Sequence, residues 1–413
     1  MVLGSLANRE LMRRVQPLVL TSLMTAAVGC GSSSDDPCAD AAPGSACRWA
    51  GTGRKGLNVE NPRQSRLDSL FYFPTDLTFA PDGRAYLVDW NNHVIRRVEA
   101  DDTVVHVLGA DYEGDGAPAE EDRLPTCNPQ GAHGTEVAMN HPTDVKIGPD
   151  GLVYVAAWHN NKIRVLAPST LSAFVLTGDS YGFSGDGSLA CSAVFNQPKT
   201  LVFAPDESIF TIDQRNGRIR RISPGAMNER TVTTIAGTGA VGGRGDGGPA
   251  LEAEFGFELT ATPRPSGALL LRDNQLYVAD SLNNSIRRID LATGMIDCWA
   301  GCTGVAGYSG DGADAKLAQF DFPLDLELGP DGRMYVADRY NHAIRAIDMI
   351  TRTIETVVGD GVACDTETEI CPDTAASAHQ LRLNQPYGIS FDATGNLYVA
   401  DTHNSRFIKV VAQ

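Results

Sequence analysis

Three marks that recur six times in one register predict an all-β chain: a six-bladed β-propeller closed by an N-terminal strand in the last blade. The first mark is the stretch VADRYNHAIRAI, residues 336–347. An apolar strand runs into Asp338, Asn341 follows three residues later, and an Arg-bearing strand begins. Its relatives are LVDWNNHVIRRV (87–98), VAAWHNNKIRVL (155–166), TIDQRNGRIRRI (211–222), VADSLNNSIRRI (278–289) and VADTHNSRFIKV (399–410). The second mark is a proline fifteen residues before each Asp place: Pro74, Pro142, Pro198, Pro265, Pro323 and Pro386. The third is a glycine that closes a hydrophobic strand, as in VHVLGA (105–110), FVLTGD (174–179), TTIAGTG (233–239), CWAGCTG (298–304) and TVVGDG (356–361). Its sixth copy stands at the other end of the chain, in CRWAGTG (47–53), while the last repeat stops one strand short. Repeats that bury their faces only against neighbours close into a ring, and a borrowed strand seals it.

The N-terminus reads as a processing segment. Arg13 and Arg14 precede the apolar run VQPLVLTSLMTAAVG (15–29), too short to span a bilayer as a mature helix. The run ends in AAVGC, which resembles a bacterial lipobox with Cys30 as the lipidated residue, although Ala27 stands where Leu is usual. Met1 and Met12 are both possible starts. We expect a lipoprotein-type signal peptide over 1–29, a flexible tether over 30–46 (GSSSDDPCADAAPGSA after Cys30) and the propeller over 47–413. The resemblance implies a cell-envelope protein. Gly31, in place of the Asp that retains such proteins at the inner membrane, points to the outer membrane.

Within each repeat the proline opens the inner strand, and Pro-Asp-Gly (81–83, 149–151, 330–332) turns it into the second strand. Asp89, Asp213, Asp280, Asp338 and Asp401 end that strand, with Ala157 in the sixth place. Asn92, Asn160, Asn216, Asn283, Asn341 and Asn404 follow. Two readings compete. These side chains hold the turn between the second and third strands, or they form a carboxylate ring round the channel that holds a cation. Their presence in almost every repeat favours the turn, because a single site would not require it.

Four loops carry Gly-Asp-Gly, with Asp115, Asp186, Asp246 and Asp311 at their centres. These residues suit a helix cap. Calcium, or another divalent cation, is the second reading, although the alternating oxygen ligands of a calcium loop are missing. The loops join the outer strand of one blade to the inner strand of the next and should build up one face. Immediately before the inner-strand prolines stand Asn140, His141, Asn196, Asp321 and Asn384, our candidate ligand-binding residues at the channel mouth. Apart from Cys30 the chain has eight cysteines, an even number that suits disulfides in an exported protein. The pairs expected are Cys298–Cys302, Cys364–Cys371, Cys127–Cys191 and Cys38–Cys47, with connectivity left open by spacing alone.

Taken together, the proline, the "YVAD" strand, the Asn, "IRR", "AGTG" and the GDG loop resemble the NHL-repeat family of bacterial secreted type, over about residues 46–413. The resemblance implies the propeller fold and leaves function open, since propellers host unrelated activities. The formal charge of −17 disfavours nucleic acid. No HExxH, GxSxG or P-loop motif is present. His93 and His342 share one repeat position, and His159 and His403 another, as expected of solvent-facing turn residues. We therefore expect a monomeric, non-catalytic binding or scaffold module for a protein or carbohydrate ligand, held to the membrane by its lipid alone. The alternative is a metal-dependent hydrolase of lactonase type, with Asn140, Asn196, Asp321 and Asn384 as ligands, or a lyase.

Overall fold

Six antiparallel sheets follow one another along the chain, each a blade of four main strands. The computed structural model describes residues 36–58, 63–110, 127, 131–178, 181–260 and 264–413. The expected signal peptide, Cys30, the first part of the tether and Asp115 lie outside the described residues. The chain divides into Met1–Asp36 and Pro37–Gln413, and every blade belongs to the second unit. Blade 1 shows the pattern: inner strand Pro74–Phe79, then Ala85–Asp89, Val94–Val98 and outer strand Thr103–Leu108. The other inner strands are Pro142–Ile147, Pro198–Phe203, Ala268–Arg272, Pro323–Leu328 and Ile389–Phe391.

Each mark meets a main-chain requirement. Proline has no N–H to donate, and it opens a strand whose free edge faces the channel, where a donor is not needed. The glycines Gly51, Gly109, Gly178, Gly237, Gly301 and Gly359 all have positive φ. A β-carbon at these places would lie 2.2 to 2.7 Å from the carbonyl oxygen of the residue that closes the Asp turn. Pro386 lies ahead of the inner strand Ile389–Phe391 rather than opening it, and Pro265 departs from the expected register. The blade 4 hairpin turns through Asp273 and Asn274 alone and pairs Ala268 with Ala279, so Gly267 occupies the proline place there.

Six apolar clusters fill the six interfaces between neighbouring blades. The ring closes as the N-terminal strand implies. Ala46–Ala50 pairs with Arg406–Val410 as the outer strand of blade 6, with Ala46 opposite Val410 and Arg48 opposite Ile408. Trp49 then packs edge-on to Tyr398 at 4.9 Å, within the cluster shared with blade 1. The four disulfides pair Cys38 with Cys47, Cys127 with Cys191, Cys298 with Cys302, and Cys364 with Cys371. Such a set is characteristic of a chain that matures in an oxidising compartment.

Candidate functional site

The Asp turns lie on what we call the upper face, where the inner strands begin. Asp338 is fully buried. Its Oδ1 accepts the Asp321 N–H at 2.8 Å, and its Oδ2 accepts Asn341 Nδ2 at 2.9 Å and Arg345 Nη1 at 3.3 Å. The same arrangement holds around Asp89, Asp213, Asp280 and Asp401, whose arginines are Arg96, Arg220, Arg287 and Arg406. In blade 2, where Ala157 replaces the Asp, Asn160 Oδ1 accepts the Asn140 N–H at 2.8 Å. The carboxylates of Asp89, Asp213, Asp338 and Asp401 thus fasten the approach to their own inner strands, whereas Asp280 holds Gly256, well ahead of Ala268. Burial pushes Asp338 up to about 7 and Asp213 and Asp280 to about 6, against the pull of their donors.

The same arginines reach a second carboxylate. Arg220 meets Asp186 at 2.9 Å, Arg287 meets Asp246 at 2.9 Å and Arg345 meets Asp311 at 2.6 Å. The helix-cap role expected of these aspartates does not arise: the residues at the cap positions are Leu189, Pro249 and Asp314. Asp186, Asp246 and Asp311 each have a guanidinium as their ion-pair partner.

Of the histidines shared between repeats, His93 is buried and His159, His342 and His403 are half-buried. His93 Nδ1 accepts the His141 N–H at 3.0 Å, and His342 Nδ1 accepts the Gln385 N–H at 3.1 Å, each reaching into the following blade. Asn161 and Asn284 do the same for Gln197 and Phe322, both at 3.0 Å. These positions hold φ near +55°, which Asn tolerates well.

The structure places the five candidate residues at the upper ends of the inner strands. Asn140, Asn196, Asp321 and Asn384 each give their backbone N–H to the turn of their own blade. Asn196, Asp321 and Asn384 share no hydrogen bond with one another among the described residues. Asn140 and His141 belong to a denser cluster. His141 Nδ1 lies 2.7 Å from Asn140 Oδ1 and 2.8 Å from His159 Nδ1, and its ring lies 4.3 Å from Trp90. Burial, aided by His93 and His159, lowers His141 to about 2, so the imidazole is neutral at physiological pH. Among the described residues, Cys364, Glu369 and Cys371 are the one set of three His, Cys, Asp or Glu side chains at metal-ligand spacing. Their two cysteines are already joined to each other.

Below this mouth the channel holds a column of charge that the sequence reading did not single out. Asp76, Asp144, Lys146, Lys199, Asp325 and Glu327 come from four inner strands. Asp76, Asp144 and Asp325 accept the N–H groups of Val145, Leu201 and Ile389 in the following blade, at 2.6 to 3.0 Å. Lys146 Nζ lies 3.6 Å from Asp76 and 3.4 Å from Asp144. Lys199 crosses the channel to the Leu324 carbonyl at 3.0 Å, and its ammonium sits 5.2 Å from the centre of the Tyr387 ring. Burial raises Asp76 and Asp325 and takes Glu327 to about 7, whereas it lowers Lys199. The signal was present in PTDLTF, PTDVKI, PKTLVF and PLDLEL, inner strands that carry one or two charges among apolar residues.

Around the mouth several buried polar atoms have no hydrogen-bond partner: Arg339 Nε and Nη1, the Tyr387 hydroxyl, Gln197 Oε1, Thr75 Oγ1 and Trp90 Nε1. A cavity of about 1580 Å³ opens on the opposite face, between the apolar inner-strand ends Phe79, Ile147, Phe203 and Leu271. Arg221 there is held by Asp206 at 2.8 Å. Unsatisfied buried polar groups mark the upper mouth as the more specific site.

This architecture is that of a six-bladed β-propeller built from NHL repeats. The NHL repeat family matches residues 383–409, the segment with Asn384, Pro386, Asp401 and Asn404, whose counterparts recur in the other blades. Suppressor of quenching 1, a chloroplastic protein of Arabidopsis thaliana, is 27% identical over 300 residues, covering 68% of this chain and 25% of its own length. The chain therefore spans a quarter of that relative. Among solved structures, a protein of unknown function from Bacteroides thetaiotaomicron matches with a TM-score of 0.62 at 16% identity, covering 88% of this chain and 75% of the other. An auxiliary nutrient binding protein from the same organism gives 0.58 at 15% identity, with coverage of 88% and 75%. At such identities the likeness is one of fold.

Proposed function

We propose that this chain is an extracytoplasmic, non-catalytic binding module that receives a carbohydrate, or a protein segment, at the upper mouth of its channel. The observation that carries the reading is the set of buried, unpartnered polar atoms at the mouth, above all those of Arg339 and Tyr387, which lie beside the aromatic rings of Phe322 and Tyr340. Buried groups of this kind lose free energy unless a partner meets them, and hydroxyl-rich ligands supply both donors and acceptors. Aromatic faces beside them suit the apolar faces of sugar rings. The name of the structural neighbour from Bacteroides, a nutrient binding protein, agrees with this reading. The lipobox-like AAVGC gives the module an anchor at Cys30 in the cell envelope, and the tether is shorter than the expected 30–46, because Cys38 is bonded to Cys47 and Ala46 pairs with Val410 in the propeller.

The test is a glycan array probed with the full chain, followed by mass spectrometry of any bound glycan after prolonged incubation. Recovery of the intact glycan supports the module. Conversion to products would replace it with an enzyme, and silence across the array would remove the carbohydrate reading.

A further inference from the structure

Seven charged side chains gather in the channel and its upper mouth: Asp76, Asp144, Lys146, Lys199, Asp325, Glu327 and Arg339. Among the three cations, Lys146 lies between Asp76 and Asp144, and Lys199 has the Leu324 carbonyl with Asp325 close by. Arg339 is different. It is 9% exposed, and its Nε and Nη1 have no acceptor among the described residues. Its guanidinium is surrounded by rings, with centres at 5.0 Å for Tyr340, 5.6 Å for Phe322 and 5.9 Å for Tyr387. The nearby carboxylate, Glu258, is held by Arg264 Nε at 2.8 Å. Arg264 also gives a hydrogen bond to the Tyr340 hydroxyl and lies 5.1 Å from the Phe322 ring, so a second cation shares the same aromatic pair. Burial first, and then Arg264, push the Arg339 pKa down, which reflects a charge that its surroundings do not fully answer.

Comparison of the repeats isolates the residue further. In the same place, immediately after the Asp of the turn, stand Trp90, Trp158, Gln214, Ser281 and Thr402. Four of these are used to hold the fold. Trp158 donates to Gln214 Oε1, Gln214 to the Glu258 and Arg264 carbonyls, Ser281 to the Pro323 carbonyl, and Thr402 to the Pro74 carbonyl. Arg339 holds nothing comparable.

We propose that Arg339 anchors the carboxylate of an acidic sugar, a uronate-type ligand. This specifies the ligand class of the binding module and rests on that reading. A guanidinium presents paired donors that match a carboxylate, and such charge-assisted pairs are stronger where water is excluded. The ring of the sugar lies against Tyr340 and Phe322. Its hydroxyls meet the Tyr387 hydroxyl, which otherwise has no partner and whose ring lies 5.9 Å from the Arg339 guanidinium.

The experiment is calorimetric titration of the full chain with D-glucuronate, its neutral near-isostere D-glucuronamide, and D-glucose, repeated on Arg339→Gln and Arg339→Lys, with circular dichroism confirming that each variant is folded. We expect glucuronate to bind at least about tenfold more tightly than glucuronamide. Arg339→Gln should erase that preference, and Arg339→Lys should retain part of it. Equal binding of acid and amide overturns the proposal, as does a preference that survives Arg339→Gln. If neutral sugars bind and the acid gains nothing, the binding module stands and the uronate class falls. If none of the three binds, both readings fall for these ligands.

Discussion

Replacing Asp338 by alanine separates a structural carboxylate from a cation ligand, and the structure gives the size of the effect. Three bonds are lost: the one accepted from the Asp321 N–H at 2.8 Å, from Asn341 Nδ2 at 2.9 Å and from Arg345 Nη1 at 3.3 Å. Removing one partner of a buried ion pair typically costs about 3 to 5 kcal/mol, because a charge is stranded. Here Arg345 keeps Asp311 at 2.6 Å and the Ser309 carbonyl at 3.1 Å, and Asn341 keeps the Gly307 carbonyl at 2.7 Å. That places the cost near the lower limit, about 3 kcal/mol. Blade 2 sets a floor. With Ala157 in the Asp place, Asn160 takes over the N–H of Asn140, so a swing of Asn341 would recover one bond and leave about 2 kcal/mol. Urea unfolding followed by tryptophan fluorescence, with and without EDTA, measures this. The variant midpoint should fall and EDTA should leave the wild type unchanged. An EDTA effect on the wild type as large as the substitution would refute the reasoning and make the turn a cation site. A loss below about 1 kcal/mol would refute it by showing that the triad adds little.

Further outcomes follow from the closure, the turns and the anchor. Trp49→Ala removes the aromatic that seals blade 6 to blade 1 and should cost about 3 to 5 kcal/mol in the same unfolding assay. A midpoint that does not move would mean that the borrowed strand is dispensable for closure. His342 is held below its ordinary pKa, first by burial, despite Asp401 and Asp321 nearby. Its neutral form is therefore the one the fold favours, and its share of stability is present above about pH 6.5 and lost as pH falls below that. His342→Asn keeps the acceptor, as Asn284 does at 3.0 Å, and should flatten the fall in the urea midpoint towards acid; an unaltered fall would place that proton uptake elsewhere. Cys30→Ala should move the protein from membranes to the soluble fraction and abolish incorporation of an alkyne-tagged fatty acid; unchanged labelling would remove the lipobox reading.

The fold was legible because its marks are main-chain necessities repeated in every blade. A glycine whose β-carbon would strike a carbonyl recurs in all six blades, and the aspartate that holds the turn recurs in five. The missing outer strand could be located for the same reason, since Gly51 answers to Ser405 as Gly109 does to His93. Pro265 misled because a two-residue hairpin shortens blade 4, and a count of fifteen residues then lands two places early. The channel charges were less legible. Asp76, Lys146 and Glu327 sit in runs that read as buried strands, and alternation cannot distinguish a side chain aimed at a neighbouring blade from one that reaches the axis. The roles of His93 and His342 were hidden because they depend on contacts with the next blade, a separation of 48 and 43 residues.

The repeats also separate structural departures from functional ones. Ala157 breaks the Asp pattern, yet Asn160 repairs the bond, so the departure is absorbed and implies no site. Arg406 likewise reaches Asp401 from five residues on, where the other blades use seven, and the triad survives. Arg339 is a departure with no repair. It replaces a residue that in four of the other five blades ties the turn to the fold, it leaves buried donors unmet, and it stands beside a second guanidinium on the same rings. A ring laced so uniformly has little structural use for an unanswered charge at its mouth. Natural chains retain such strain where a ligand relieves it. The same reasoning extends to Tyr387, whose ring lies beside Arg339 and Lys199 and whose hydroxyl is likewise unmet. Two unmet groups from different blades on one aromatic cluster are what a bound ligand would bring together.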